Sequence, residues 1–288
     1  MSPHARSRSV LPLVTCVAIV LAFQAVWCAA PRAEEKKSSC TLAFGLPEGT
    51  LLHYKDFAQT GQNYGGTDVS MNQTSEVDMS YAGEPDSTGN ARVSLKFIKI
   101  KSSLVMGGQL QEWESPIKLE GADIRVFVSR AGKVVRFEPG RNIPGLRNVN
   151  DLRDAVDTWF VDLPDSTVAI GESWKREIVE GMKEGQEPEI KGEVVYTLKK
   201  IETRGNIEIA AVEGKGVLKM NSETPAGTLV ADGKVDVKAQ IAVPGGYIVE
   251  LKQTVEIRGN TVAKDPLTDK ETKRATAVTR YTEITLQK

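Results

Sequence analysis

The side chains that most often carry out chemistry in proteins are scarce in this sequence. Histidine occurs twice, and His4 lies in the N-terminal segment, so a Ser-His-Asp or Cys-His arrangement would have to use His53. His53 stands in a segment with strand character, where we expect its ring to face solvent. A zinc site needs several Cys or His ligands at convergent spacing, which this sequence does not supply. We therefore predict no catalytic residue, no metal site and no cofactor.

Two other motifs partly match known functional sites. Residues 171–174 (Gly-Glu-Ser-Trp) begin like a nucleophile elbow but lack its second glycine, so we predict a turn that enters a strand, with Trp174 packed. Asp265, Asp269 and Glu271 lack the glycine and the ligand order of a calcium loop. Two carboxylates at the right separation suffice for glycoside hydrolysis, but among 38 acidic residues a chance pair is expected. An unrecognised hydrolase stays open as the least favoured hypothesis.

The overall charge argues against two classes of partner. The chain has 37 basic and 38 acidic residues and a formal net charge of −1. Proteins that bind nucleic acid depend on clustered Lys and Arg that neutralise phosphates, and an anionic bilayer attracts a basic stripe. The sequence has neither feature. We predict no nucleic acid partner.

The first 30 residues have the pattern of a secretory signal peptide. Arg6 and Arg8 precede an apolar run over residues 10–30 that ends in small residues. Cleavage after Ala30 and cleavage after Cys28 are both open, and so is an uncleaved anchor, because the run is long enough to span a bilayer. We expect an exported protein of the periplasm or the extracellular space, either released or tethered by this segment.

Residues 31–45 are predicted to be a flexible tether, because their first part is charged and rich in small residues. Three cysteines are present, and Cys16 and Cys28 belong to the signal segment, so no disulfide framework can form. Cys40 is either a tolerated thiol in this tether or a handle for an intermolecular disulfide.

Apolar and polar residues alternate from residue 50 onward, which predicts β-strands. The clearest strand covers residues 229–241, with one apolar face and one charged face. A Pro-Gly-Gly turn at 244–246 leads to a return strand, which together predict a long hairpin. Its apolar face needs a covering layer. The apolar positions near the turn are Val235, Val237, Ala239, Tyr247, Val249 and Leu251.

One segment has the period of an amphipathic helix. Apolar residues recur at spacings of three and four from Leu152 to Leu163, Asn150 can cap the start, and Pro164 stops the helix. A helix of about fourteen residues is marginal on its own. We therefore expect it to dock on a sheet through Trp159 and Phe160.

The strand signals form two groups in the same order. Gly-Asn pairs at 89–90 and 205–206 each separate two strand-like runs, at an offset of roughly 115–120 residues. This indicates an internal duplication, although unrelated antiparallel sheets also share glycine-containing turns. We predict a mainly β fold of two antiparallel β-meanders with one amphipathic helix packed on a sheet. Residues 46–165 form the first meander and end in the helix, and residues 166–288 form the second.

This pattern resembles a family of exported bacterial proteins that is known only as a domain of unknown function. The resemblance covers most of residues 46–288 and has its most specific piece in Leu163-Pro164 followed by residues 171–174. That family implies no activity and no site residues. The predicted architecture is also similar to that of periplasmic lipid and lipoprotein carriers, and such a likeness of fold does not fix function.

Three hypotheses about function follow. The first is a non-catalytic envelope protein that binds a lipid or another hydrophobic small molecule, and the second is an interaction protein that binds an envelope protein through a sheet edge without a ligand. The third is the hydrolase above. The candidate ligand-facing residues, which could also form an ordinary core, are Val235, Val237, Ala239, Tyr247, Val249, Leu251, Trp159 and Phe160.

Overall fold

The protein was analysed as a computed structural model, which describes residues 38–64, 66–115, 117–138, 143–146, 150–180, 189–224, 227–264 and 271–287. The predicted signal peptide and the first residues of the predicted tether lie outside this part. Among the described residues, no helix is long and apolar enough to cross a membrane. The elements are β1 (Ser39–Leu42), β2 (Leu51–Tyr64), β3 (Thr67–Tyr81), β4 (Ala91–Met106), β5 (Gln109–Glu112), β6 (Asp123–Val128), β7 (Val134–Phe137), α1 (Asn150–Asp157), β8 (Ser166–Ala169), β9 (Ser173–Glu180), β10 (Ile190–Arg204), β11 (Ile207–Thr224), β12 (Gly227–Val243), β13 (Ile248–Lys264) and β14 (Glu271–Leu286).

Twelve strands form a single antiparallel sheet. Its order is β7-β6-β4-β3-β2-β14-β13-β12-β11-β10-β9, with β5 beside β4, and β1 pairs with β8 in a separate two-stranded sheet. The first long strand, β2, pairs with the last strand, β14, from Tyr54–Leu286 to Tyr64–Thr276. The prediction of a mainly β, antiparallel fold is confirmed. The two predicted meanders are joined through β2 and β14 into one sheet, and their duplication stays a prediction.

The inner face of the sheet is the face that carries the buried side chains. Along β12, buried and exposed residues alternate strictly from Ala231 to Ala239, which places valine and alanine inside and aspartate and lysine in solvent. Several inner-face positions of β10 to β13 are glycines. A Cβ atom at Gly214 would lie 2.8 Å from the Tyr196 ring, so glycine there lets the ring lie flat across the neighbouring strand. Glycines at such positions also permit a sheet to bend toward that face. These inner-face glycines are Gly192, Gly214, Gly216, Gly233 and Gly259.

The helix is shorter than the sequence predicts. α1 has eight residues and ends at Asp157, and residues 158–163, which we name the covering segment, continue in a turn and an extended stretch. Residues 159–163 are all buried, whereas an amphipathic helix would turn some of them to solvent. Tertiary hydrogen bonds replace the helical ones, because the Leu163 amide donates to the Ala131 carbonyl at 2.9 Å and the Trp174 indole donates to the Asp162 carbonyl at 2.9 Å.

Residues 39–45 belong to the folded protein, which corrects the prediction of a tether from 31 to 45. β1 pairs with β8, and Cys40, Leu42 and Phe44 are buried. The ring of Phe44 contacts that of Phe160 edge-on, with 5.4 Å between centroids. The alternation of apolar residues from Cys40 onward is the signal of this strand, and the charged residues before it obscured that signal. Cys40 is therefore a buried strand residue.

Candidate ligand-binding cavity

A cavity of about 410 Å³ lies between the inner face of the sheet and the covering segment. Seven neighbouring strands, β2, β14, β13, β12, β11, β10 and β9, contribute to its wall, and Phe160 and Val161 cover it from the other side. So many adjacent strands can line one cavity only because the sheet curves around it. The volume falls within the range of about 300–1,000 Å³ that is typical of small-molecule sites.

Four of the sequence-predicted site residues meet in this wall and four do not. Val235, Val237, Leu251 and Phe160 line the cavity. Ala239 is buried further along β12. Trp159 packs into the core edge-on against Tyr54, at 5.6 Å between ring centroids. Tyr247 and Val249 are half-buried and lie outside the lining.

A β-bulge explains the placement of Val249. Gln240 pairs with Glu250, whereas the next residue, Ile241, pairs with Ile248, so Val249 is passed over. The extra residue reverses the alternation at this point, and Ile248, which is 2% exposed, faces the core instead. This corrects the prediction that Val249 shares the face of Leu251, while Tyr247 lies before β13 and packs against the core outside the cavity.

The cavity wall also contains residues that the sequence did not single out. They occupy the inner face farther from the covering segment, and most are apolar and only half-buried. Register is the signal that could have found them, because every one except Ile178 lies opposite another lining residue on a neighbouring strand. These half-buried apolar residues are Ile178, Ile190, Met220, Val255, Ile257 and Val278.

A small polar group interrupts this apolar wall. Arg280 on β14 lies opposite Thr60 on β2 and opposite Val255 on β13. Gln253 precedes Val255 on the same face of β13. All four residues line the cavity, and all are half-buried. At this place the wall therefore offers one cation, one amide and one hydroxyl beside apolar side chains.

A second arginine in the wall already has an acidic partner. Arg176 on β9 pairs with Asp162 of the covering segment at 2.5 Å, and the Asp162 side chain is 8% exposed. Burial raises the pKa of the Asp162 carboxyl, although the charges of Arg176 and Lys133 act in the opposite direction. Burial also raises the pKa of the neighbouring Tyr196 to about 12.

Asp56 on β2 lies near Arg280 on the inner face and is hydrogen-bonded to the neighbouring strand β3. Its Oδ2 accepts a hydrogen bond from Ser75 Oγ at 2.8 Å. Burial raises the pKa of Asp56 to about 6, and the Ser75 hydrogen bond and the Arg280 charge only partly offset that effect. The ionised carboxylate is thus unfavourable in the folded protein at neutral pH.

The Asp56→Asn variant should become more stable than the wild type as the pH rises. A carboxyl whose pKa is higher in the folded state causes no penalty below its unfolded pKa near 4, and the full penalty applies above the folded pKa. Because Asp56 is half-buried, we expect the variant to gain about 1–2 kcal/mol relative to the wild type between pH 4 and pH 8. Urea unfolding at both pH values measures this gain, and a difference that does not change with pH would contradict the prediction.

The other candidate chemical groups lie outside the cavity. His53 is exposed, and within the described ranges its ring hydrogen-bonds only to Asp78, at 2.6 Å. Residues 171–174 form a turn that enters β9, as predicted, and Ser173 Oγ bonds to Thr197 Oγ1 at 2.8 Å. Asp265 and Asp269 are outside the described residues. The part of the chain that the structure describes contains no group of three or more His, Cys, Asp or Glu residues that could hold a metal ion.

Fold and cavity together define an antiparallel β protein whose curved sheet partly encloses an apolar space. No protein-family model matches the chain, and no curated protein matches it. Among solved structures, lipovitellin, in a structure described for its lipid–protein interactions, is similar over 85% of this chain and 26% of its own, at 11% identity and a TM-score of 0.47. This chain thus spans about a quarter of that protein.

Two bacterial structures are similar at lower TM-scores. A DUF1329 family protein from Desulfovibrio piger has 11% identity and a TM-score of 0.20, over 83% of this chain and 87% of its own. OccK5 (OpdH) from Pseudomonas aeruginosa has 7% identity and a TM-score of 0.20, over 85% and 99%. One of these proteins belongs to a family of unknown function, the kind of family that the sequence resembles. All three TM-scores are below 0.5.

Proposed function

We propose that this protein binds a hydrophobic small molecule or lipid in the cavity, without catalysis, as an exported protein of the cell envelope. The single observation that supports binding is the cavity of about 410 Å³, which has an apolar wall built from seven strands. The signal peptide predicted for residues 1–30 supports export.

The difference in burial along the inner face distinguishes a site from an ordinary core. Near the covering segment, Val235, Val237 and Leu251 are 3–5% exposed, as core residues are. Farther along the same face, Val255, Ile257 and other apolar residues are only half-buried. Removing apolar surface from water is favourable by about 25 cal/mol per Å². A hydrophobic ligand would bury this remaining surface.

Filling the cavity should weaken ligand binding. Val278 is a half-buried lining residue, so the indole of Val278→Trp would occupy space that the ligand needs. We expect at least a roughly tenfold loss of affinity for the fluorescent probe N-phenyl-1-naphthylamine, because excluding two methylene-sized groups removes about 1.6 kcal/mol. Fluorescence titration measures the affinity.

The matched control is Val230→Trp on the outer face of β12, where Val230 is 53% exposed. This variant should bind the probe as the wild type does. Native mass spectrometry of protein purified from its envelope supplies an independent measurement. The proposal fails if no ligand co-purifies and no probe binds, or if Val278→Trp and Val230→Trp bind equally well.

The alternative of an interaction protein without a ligand has less support from the fold. Cys40 was one reason to consider that alternative, as a handle for a disulfide with another protein. Its side chain is 3% exposed, which does not fit such a handle. A protein partner in the envelope stays a hypothesis, and recovery of only the monomer after crosslinking in intact cells would oppose it.

A further inference from the structure

We infer that the ligand is an anionic single-chain amphiphile, whose carboxylate or phosphate pairs with Arg280 while its alkyl chain lies along the half-buried apolar wall. The inference rests on the proposed function and adds the chemical class of the ligand. Arg280 carries it, because the other charged lining residues are paired, Arg176 with Asp162 and Asp157 with Arg153, whereas the Arg280 guanidinium has no acidic partner in contact among the described residues.

The two cavity arginines differ in how their charge is balanced. Arg176 contacts the Asp162 carboxylate at 2.5 Å. For Arg280, the part of the chain that the structure describes has no carboxylate within 4.0 Å, and Asp56 acts on it only through space. A half-buried charge without a contacting partner is unfavourable. A ligand anion would supply the missing partner.

The surroundings of Arg280 suit a headgroup with two oxygens. Guanidinium groups bind carboxylates and phosphates through two parallel hydrogen bonds. Thr60 lies directly opposite Arg280 on β2, and Gln253 lies on β13, opposite Thr282. The Thr60 hydroxyl and the Gln253 amide can donate further hydrogen bonds to the same headgroup.

The apolar wall continues from Arg280 in a direction that an alkyl chain can follow. Val278, the next inner-face residue of β14, pairs with Ile257 on β13. Met220 on β11 pairs with Ile190 on β10. All four line the cavity and are half-buried. A molecule anchored at Arg280 would therefore cover the apolar surface that the fold leaves accessible.

The test compares ligands that share a long alkyl chain and differ in the charge of the headgroup. Palmitate and methyl palmitate compete with N-phenyl-1-naphthylamine for the protein purified from its envelope at pH 7.5, and hexadecyl phosphate extends the comparison to a phosphate headgroup. A hydrogen bond to a charged group contributes about 1.5–3 kcal/mol, so the anions should displace the probe at roughly 10–100-fold lower concentration than the ester. Whichever anion binds more tightly identifies the headgroup.

Variants of Arg280 locate the effect. Arg280→Gln should remove the preference for the anions and keep the affinity for methyl palmitate. Arg280→Lys keeps the positive charge but cannot form two parallel hydrogen bonds, so it should retain part of the preference. The matched control is Arg258→Gln on the outer face of β13, where the side chain is 81% exposed. That variant should behave as the wild type does.

Each outcome separates this inference from the proposed function. If the wild type binds palmitate, hexadecyl phosphate and methyl palmitate equally, the inference is overturned and cavity binding stands. The inference is also overturned if folded Arg280→Gln retains the full preference for the anions. If the wild type binds neither the probe nor any of the three ligands, the proposed function fails as well.

Discussion

Replacing Arg176 with methionine is expected to lower the free energy of unfolding by about 3–5 kcal/mol at pH 7.5, because Asp162 would then be a buried carboxylate without its partner. The two side chains are in contact at 2.5 Å, and the Asp162 side chain is 8% exposed. Of the two cations that act on Asp162 among the described residues, Lys133 would remain. Urea unfolding monitored by tryptophan fluorescence measures the loss.

The pH dependence of this loss identifies its cause. Burial already raises the pKa of Asp162 in the folded protein, and removal of Arg176 would raise it further. A carboxyl group with a raised folded pKa is destabilising above its unfolded pKa and neutral below it. The deficit of Arg176→Met should therefore shrink as the pH falls toward 4. An equal deficit at pH 4 and pH 7.5 would show that lost packing dominates.

Two further variants complete this experiment. The double variant Asp162→Asn with Arg176→Met removes both charges and should recover most of the lost stability. Lys175→Met is the matched control, because Lys175 is the next residue of β9, and its ion pair with Glu193, at 3.1 Å, is exposed. Such surface pairs contribute about 0–1 kcal/mol, so this control should be nearly as stable as the wild type.

Replacing Trp159 with alanine should destabilise the protein by about 3–5 kcal/mol, the usual effect of removing a large buried aromatic side chain. Trp159 is 3% exposed and packs edge-on against Tyr54, whose hydroxyl donates to the Ile248 carbonyl at 2.8 Å. The covering segment would lose its central contact with the sheet. Thermal and urea unfolding measure the effect.

Trp113→Ala is the matched control for this variant, since Trp113 is half-buried in the loop after β5. Its effect should be clearly smaller than that of Trp159→Ala. Equal effects of the two substitutions would mean that the covering segment is not held by the core. Binding of the fluorescent probe by the Trp159→Ala protein, measured at a temperature where it stays folded, shows whether the cavity needs the segment in place.

The strands were predictable because their two faces meet different surroundings. Val235 and Val237 face the core and Asp236 faces solvent, so the sequence of β12 records the alternation directly. The bulge at Ile98, which the pairing of β3 with β4 passes over, is also visible in the sequence. There the apolar residues themselves change register. At Val249 the alternation of apolar residues continues unbroken through the bulge, so the sequence gives no sign of it.

Two other features depend on contacts that no local pattern records. Residues 159–163 of the covering segment are all buried. Their apolar spacing is the same as that of an amphipathic helix, but their burial comes from tertiary contacts of a non-helical segment. The polar part of the candidate site requires the register between β13, β14 and β2, which places Arg280 between Val255 and Thr60. These residues are distant in the sequence, and only the pairing of the strands brings them together.

The pairing of β2 with β14 also constrains when the protein can fold. The first long strand hydrogen-bonds to the last one, so a growing chain that still lacks its C-terminal residues leaves β2 and β13 each with an edge that has no neighbour. Contacts between such distant parts of a chain form slowly. The two halves of the sheet can therefore join only after β14, which lies between β2 and β13, has been synthesised.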